Sequence, residues 1–219
     1  MIAPEPSRAQ TRLEVFGLCC IRDERDLFND LNFEIPGGQI LVVEGPNGCG
    51  KTSLLRILCG IRAQESGSVL WCGEAIDQLG AIYHEQIAYV GHHDGVKREL
   101  TVLENVRVAR ALGKASERGI DEILDQIRLA GCEDMQALAL SAGQRRRLAL
   151  SRLLATDSRL WILDEPFTSL DKCGIAIFAD LLVAHAANGG LVVMTSHHKG
   201  DLGNVDVRHL HLGACPKID

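Results

Sequence analysis

The sequence predicts an α/β fold, with a largely parallel sheet interrupted by a helical insertion at roughly residues 94–155. Three observations carry that reading. The wholly apolar runs Ile40 to Val43, Leu160 to Leu163 and Leu191 to Met194 have the length of strands buried on both faces. Helical stripes lie between them, so strands and helices alternate as they do around a parallel sheet. The middle third carries one helix signal after another.

Residues 1 to about 10, with Pro4, Glu5, Pro6 and Arg8, read as a loose tail that lacks the apolar core of a secretory signal. From Leu13 to Val43 the pattern is strand-like, and Pro36-Gly37-Gly38 makes a turn before the first buried run. Leu54, Leu55, Leu58 and Ile61 then share one helical face, with Gly60 as a stop, and Ser68 to Trp71 suggests another strand. Thr101-Val102-Leu103-Glu104 fits a capping box. Ile120, Ile123, Leu124 and Ile127 make a second stripe, and Leu150, Leu153 and Leu154 a third. A helix from Ile175 to Ala187, stopped by Gly189-Gly190, precedes the last apolar run.

Composition narrows the class. A chain of 219 residues, 46% apolar and 24% charged, is long enough for one sizeable core and ordinary for a globular protein. The net charge of -6 argues against a nucleic-acid partner, although Arg145, Arg146 and Arg147 offer a local contact for something anionic. No run approaches the roughly 20 apolar residues of a membrane span, so a cytosolic or peripheral protein is expected. The eight cysteines form no CxxC pair and read as small hydrophobes rather than a disulfide framework or zinc site.

The chemistry begins at Gly45-Pro46-Asn47-Gly48-Cys49-Gly50-Lys51-Thr52, followed by Ser53. This G-x-x-x-x-G-K-[ST] run lies between a buried strand and a helix, the setting in which its amides can cradle phosphates. Lys51 is placed to reach the β- and γ-phosphates of ATP, and Thr52 to put its hydroxyl on Mg²⁺. A phosphate loop alone does not separate kinases, GTPases and transport ATPases. Leu160 to Leu163 followed by Asp164-Glu165 narrows the choice: Asp164 can hold Mg²⁺, and Glu165 can polarise an attacking water as a general base. No pocket signal for an acceptor substrate is present, which favours hydrolysis.

Leu140-Ser141-Ala142-Gly143-Gln144 closely resembles the LSGGQ signature of ABC ATPases, with Ala142 replacing one glycine, and it opens a helix. Ser169-Leu170-Asp171 resembles the D-loop of that family, and Thr195-Ser196-His197 its switch histidine. The resemblance spans about Leu13 to Leu212. It implies a P-loop ABC ATPase with a RecA-like core, an antiparallel β subdomain and a helical insertion. It also implies a homodimer in which Ser141, Ala142, Gly143 and Gln144 act on the nucleotide of the opposite copy, Asp171 links the two sites and His197 contacts the γ-phosphate. Separate transmembrane subunits would complete the transporter.

Two positions depart from the general family pattern. His93, in Val90-Gly91-His92-His93-Asp94, stands where the family usually has a catalytic-site glutamine, and an imidazole can gain a proton near physiological pH where an amide cannot. Near Ile21 to Arg25 the usual adenine-stacking aromatic is missing; Arg22 stacking through its planar guanidinium and a solvated Arg22 are both open.

Local runs narrow the resemblance further. Arg22-Asp23-Glu24-Arg25, Gly91-His92 with Lys97, Leu140 to Arg147, and Trp161 to Thr168 are similar to the cytochrome c maturation (haem exporter) ATP-binding family. This implies a peripheral subunit on the cytoplasmic face of a bacterial inner membrane, driving haem delivery for c-type cytochromes. An ATPase of another exporter, for lipid, lipoprotein or peptide, is the alternative, followed by a soluble non-transport ABC ATPase. Direct haem binding is not expected: Cys215-Pro216 reads as tail, and the His92-His93 and His197-His198 pairs have places near nucleotide.

Overall fold

The structure, a computed structural model, describes residues 11–196, 202–203, 205–213 and 217–218. The predicted loose tail and His197 lie outside the described residues. In chain order the elements are β1 (Arg12–Arg22), β2 (Arg25–Pro36), β3 (Gln39–Glu44), α1 (Lys51–Leu58), β4 (Ser66–Trp71), β5 (Glu74–Ala75), α2 (Ile76–Leu79), α3 (Ala81–Gln86) and β6 (Ile87–Val90). They continue with α4 (Val102–Ala111), α5 (Ile120–Gln126), α6 (Ala142–Ala155), β7 (Leu160–Asp164), α7 (Lys172–Ala187), β8 (Leu191–Thr195), β9 (Asp206–His211) and β10 (Lys217–Ile218).

Two sheets result. An antiparallel sheet runs β2-β1-β4-β5, and a second runs β10-β9-β3-β8-β7-β6 with every pairing parallel except β10 on β9. The apolar runs of β3, β7 and β8 are continuous because both faces of this sheet are covered. Leu41, Val43, Ile162 and Val193 face the antiparallel sheet across α1, whereas Ile40, Val42, Trp161, Leu163, Val192 and Met194 face α7. The alternation has the strand period of two. Leu54, Leu55 and Leu58 of α1 are fully buried, each contributing about 1.5–3 kcal/mol relative to exposure.

A third cluster gathers Val102 and Val106 of α4, Ile123 and Leu124 of α5, and Leu148 and Leu154 of α6. The helix α6 also sends Leu150 and Leu153 into the cluster beneath the parallel sheet. One helix therefore packs on both bodies. The expected capping box at Thr101 is present: its hydroxyl accepts from Glu104 N–H at 3.1 Å, and the Glu104 carboxylate accepts from Thr101 N–H at 2.8 Å.

Some boundaries differ from the sequence expectation. Ile61 is not on the buried face of α1; the helix ends at Leu58, the chain turns, and Ile61 is 61% exposed. The helix α7 starts at Lys172, earlier than the apolar stripe indicated, because its first turn, Lys172-Cys173-Gly174, is fixed by an Asp171 cap rather than by periodicity. The strand β9 was not evident: Asp206, Arg208, His209 and His211 break any apolar run.

At the end of the sheet opposite the phosphate loop, His185 of α7 stacks on Trp161 of β7 with ring centroids 3.8 Å apart and planes 8° from parallel. Its Nε2 lies 3.1 Å from the Arg159 carbonyl oxygen. Burial pushes the imidazole down to about 4, against a weaker upward pull from its main-chain bonds. The unfolded chain takes up this proton below its ordinary value near 6.5, the folded chain only near 4, so acid favours unfolding across that window. We expect urea midpoints measured against pH to fall less steeply between about 6.5 and 4 in His185→Phe than in the parent. Superimposable slopes would show that His185 does not contribute.

Candidate functional site

The site forms where strands β3, β7 and β8 end. The register pairs Val43 with Thr195 and Asp164 with Thr195, so the polar residues after three apolar runs arrive side by side. This is the carboxyl edge of a parallel sheet, where such folds place ligands.

The phosphate loop, Gly45 to Thr52, leaves β3 here and enters α1. Its course requires glycine at both ends. Gly45 has φ 145°, and a Cβ there would collide with the Leu212 carbonyl oxygen and lie 2.7 Å from Cys49 Sγ. Gly50, the N-cap of α1, has φ 104°, and a Cβ would lie 3.0 Å from Leu27 Cβ and 3.2 Å from Phe28 Cδ1 of β2. Lys51 folds back, its Nζ donating to the carbonyls of Gly45 at 2.7 Å and Pro46 at 3.2 Å.

A hydrogen-bond chain joins the first turn of α1 to the ends of β7 and β8. Thr52 Oγ1 donates to Asp164 Oδ2 at 2.8 Å, and Thr195 Oγ1 donates to Asp164 Oδ1 at 2.8 Å. Thr195 Oγ1 in turn accepts from Glu165 N–H at 2.8 Å. Asp164 and Thr195 are buried. Beside this chain lies a cleft of ≈ 460 Å³ lined by Asn47, Gly48, Gly50, Lys51, Thr52, Ser53, Asp164 and Glu165, with Arg22 and His92 at its margin. A hydroxyl and a carboxylate in contact are hard oxygen donors, and with Lys51 on the same cleft they fit a Mg²⁺–nucleotide.

The other predicted residues are distributed over this cleft, a neighbouring cleft and two helix caps. His92 lines the phosphate cleft and also, with His93, a neighbouring cleft of ≈ 250 Å³ shared with Ala142, Arg146 and Ser169; His93 does not line the phosphate cleft. Arg22 reaches the phosphate cleft and makes a 3.3 Å contact with Asp23, both side chains mostly exposed. Ser141 caps α6, its hydroxyl accepting from Gln144 N–H at 3.2 Å while the Gln144 side chain accepts from Ser141 N–H at 2.9 Å. Gly143 approaches the Ser169 carbonyl oxygen of the same chain. None of Ser141, Ala142, Gly143 and Gln144 is among the described residues lining the phosphate cleft. Asp171 caps α7, accepting from Gly174 N–H at 2.7 Å.

The basic run departs from expectation. Arg145, Arg146 and Arg147 do not form an open anion contact: each guanidinium turns onto main-chain carbonyls, Arg145 onto Leu140 and Arg147 onto Ile127 and Arg128. Arg146, only 5% exposed, donates to Pro166 at 3.1 Å, Gly91 at 3.2 Å, Asp164 at 3.2 Å and Glu165 at 2.8 Å. Burial pulls its proton affinity down, opposed mainly by the Asp94 and Asp164 carboxylates. The sequence carried a signal for this: Arg146 precedes Leu150 by four residues and Leu153 by seven, which puts it on the buried face of α6. Thr195 was also passed over as a site residue, though its position after an apolar run repeats that of Asp164.

Comparison with known proteins agrees with this geometry. The family model described as "ABC transporter" matches residues 28–168. The chain belongs to the ABC transporter family. Among its relatives is the Methylococcus capsulatus "Cytochrome c biogenesis ATP-binding export protein CcmA", 51% identical over 198 residues, which are 90% of this chain and 95% of that protein. The proteins of the same name from Nitrosococcus oceani and Vibrio parahaemolyticus are 48% and 44% identical, covering 87% and 92% of this chain and 88% and 99% of theirs. A solved ATP-binding subunit of an ABC transporter superposes with a TM-score of 0.84 at 22% identity, over 94% of this chain and 89% of that one. This chain has the fold of that ATP-binding subunit, with an antiparallel β body and a helical insertion beside the parallel sheet.

Because α1 can start only with glycine at Gly50, Gly50→Ala is expected to weaken nucleotide binding at least about tenfold. The left-handed geometry alone costs an L-residue about 1–2 kcal/mol before the contacts with Leu27 and Phe28 are counted. Titration with a fluorescent ATP analogue checks this, circular dichroism confirming the fold; parental affinity would contradict the reading.

Proposed function

We propose that this chain hydrolyses ATP as the energy-coupling subunit of an ABC exporter complex serving c-type cytochrome biogenesis, in the haem-delivery step. The observation that carries the hydrolytic part is the chain Thr52–Asp164–Thr195–Glu165, which sets a Mg²⁺ donor pair and a second carboxylate on one phosphate cleft. The pathway rests on the relatives named for cytochrome c biogenesis, 44–51% identical across most of both chains.

In this reading the amides of the loop Gly45 to Thr52 and the N-terminus of α1 receive the phosphates, and Lys51 swings from its carbonyl contacts to the β- and γ-oxygens. Thr52 and Asp164 would hold Mg²⁺, which would supply positive charge to offset the negative charge of the phosphates. The Glu165 carboxylate takes a proton from water as its oxygen bonds to the γ-phosphorus, and the β–γ bridging bond breaks to leave ADP and phosphate. His93, with His92 beside it, supplies polar contacts at the edge of the reaction, and His197 contacts the γ-phosphate.

The working unit is a homodimer in which Ser141, Ala142, Gly143 and Gln144 close the cleft of the opposite copy, with Asp171 joining the two sites. Their absence from the described lining of their own chain's cleft supports this arrangement. No helix among the described residues is long and apolar enough to cross a membrane. Separate transmembrane subunits at the cytoplasmic face of a bacterial inner membrane would convert closure into transport, and the chain itself would not contact haem.

The test replaces the chromosomal gene with Glu165→Gln. Hydrolysis should fall about 10²- to 10⁴-fold with ATP binding retained, since the amide keeps the shape but takes no proton. Haem-stained gels should lose covalent c-type cytochromes. Parental hydrolysis would remove Glu165 from the mechanism, and normal cytochromes despite lost hydrolysis would sink the haem-pathway reading while leaving the ATPase.

A further inference from the structure

We propose that Thr195 of β8 and Arg146 of α6 are positioning residues that hold Glu165 in the geometry needed to activate water. This rests on the reading of Glu165 as the general base and adds what fixes it there.

Glu165 has φ 49°, the left-handed region that a residue with a side chain rarely adopts. Such a conformation persists only where its surroundings over-determine it, and these cluster at functional sites. Here the peptide groups on both sides of the Cα are tied. On the amide side Thr195 Oγ1 accepts from Glu165 N–H at 2.8 Å, and on the carbonyl side Arg146 Nη2 donates to Glu165 O at 2.8 Å. Both ties are rigid, because Thr195 is 0% exposed and Arg146 5%.

The chemistry of each partner suits the task. A hydroxyl has one proton and two acceptor lone pairs. Thr195 directs its proton to Asp164 Oδ1, which leaves its oxygen as the acceptor for Glu165 N–H. The same hydroxyl therefore sets the metal-side carboxylate and the base. Arg146 contributes a planar fork that reaches carbonyls in several directions, which a lysine ammonium cannot reproduce. It satisfies Asp164, Glu165 and Pro166 at the end of β7 together with Gly91, the residue before His92. Arg146 stands in the helix that Ser141 caps, so one guanidinium ties the signature helix to the base and to the His92-His93 loop.

A residue that only supported the fold would lower nucleotide affinity and turnover together. A positioning residue lowers kcat more than binding, because Lys51 and Thr52 are untouched and Asp164 keeps its Thr52 bond. The experiment measures kcat, KM and nucleotide affinity for the full chain in its membrane complex, comparing the parent with Thr195→Val, Thr195→Ser, Arg146→Lys and Glu165→Gln. Thr195→Val keeps the shape and loses both hydroxyl bonds, the one to Asp164 Oδ1 included. It and Arg146→Lys should lose at least about tenfold in kcat, with affinity within about threefold of the parent in Arg146→Lys and falling less than kcat in Thr195→Val. Thr195→Ser, which keeps the hydroxyl, should return to within about threefold of parental kcat. If Arg146→Lys does not fold, Arg146→Gln, with two amide donors, carries the same readout. Parental kcat in Thr195→Val and in the Arg146 variant, with Glu165→Gln inactive, would overturn the proposal and leave the base in place. A parallel fall of affinity and kcat would overturn it in favour of a structural role. An active Glu165→Gln would instead strike the underlying reading of the base.

Discussion

The carboxylate of Asp164, shared between the hydroxyls of Thr52 and Thr195, is the constraint on which the site depends. It is buried, and a buried carboxylate is tolerable only where its oxygens are bonded. The two bonds come from different elements: one from the helix that follows the phosphate loop, the other from the neighbouring strand. They exist only if β3, β8 and β7 keep the register that pairs Val43 and Asp164 with Thr195. A slip of one residue would turn every side chain to the opposite face and remove Asp164 from both hydroxyls. The apolar runs enforce that register, since each strand has a cluster on either side to fill.

The helical insertion is bound to the same constraint through α6. That helix shares the insertion's own cluster, through Leu148 and Leu154, and the cluster under the parallel sheet, through Leu150 and Leu153. Its first turn is fixed by the Ser141–Gln144 capping box, and its second carries Arg146 onto the end of β7. Phosphate cleft, signature helix and the His92-His93 loop are thus mechanically continuous through packed side chains and main-chain hydrogen bonds. An assembly that moves the insertion against the sheet would act on the cleft by this route.

Much of this was legible in the sequence because the decisive signals are local. The phosphate loop is contiguous, the strands β3, β7 and β8 are uninterrupted apolar runs, and the caps at Thr101 and Ser141 follow from side-chain chemistry within four residues. What stayed hidden depends on partners distant in the chain. The polar strand β9 is held in place by β3 on one side and β10 on the other rather than by its own pattern. Arg146 resembled its neighbours as an exposed charge, and only the carbonyls of Gly91, Asp164, Glu165 and Pro166 show why it is buried. His92 and His93 sit edge to face, ring centroids 5.7 Å apart, and both line the smaller cleft, yet only His92 also reaches the phosphate cleft, a difference their adjacency in sequence does not show.

The central claim is that Thr52 and Asp164, brought together by three parallel strand ends, form one metal-binding position on the phosphate cleft. Iron-directed cleavage tests it most directly: Fe²⁺ replaces Mg²⁺ in the presence of ATP, ascorbate and peroxide generate radicals at the ion, and the cut positions are mapped by mass spectrometry. The account predicts cuts grouped around residues 51–53 and around 163–166, both lost in Asp164→Asn. Cuts confined to one of these segments or placed elsewhere, or a pattern unchanged by Asp164→Asn, would contradict it.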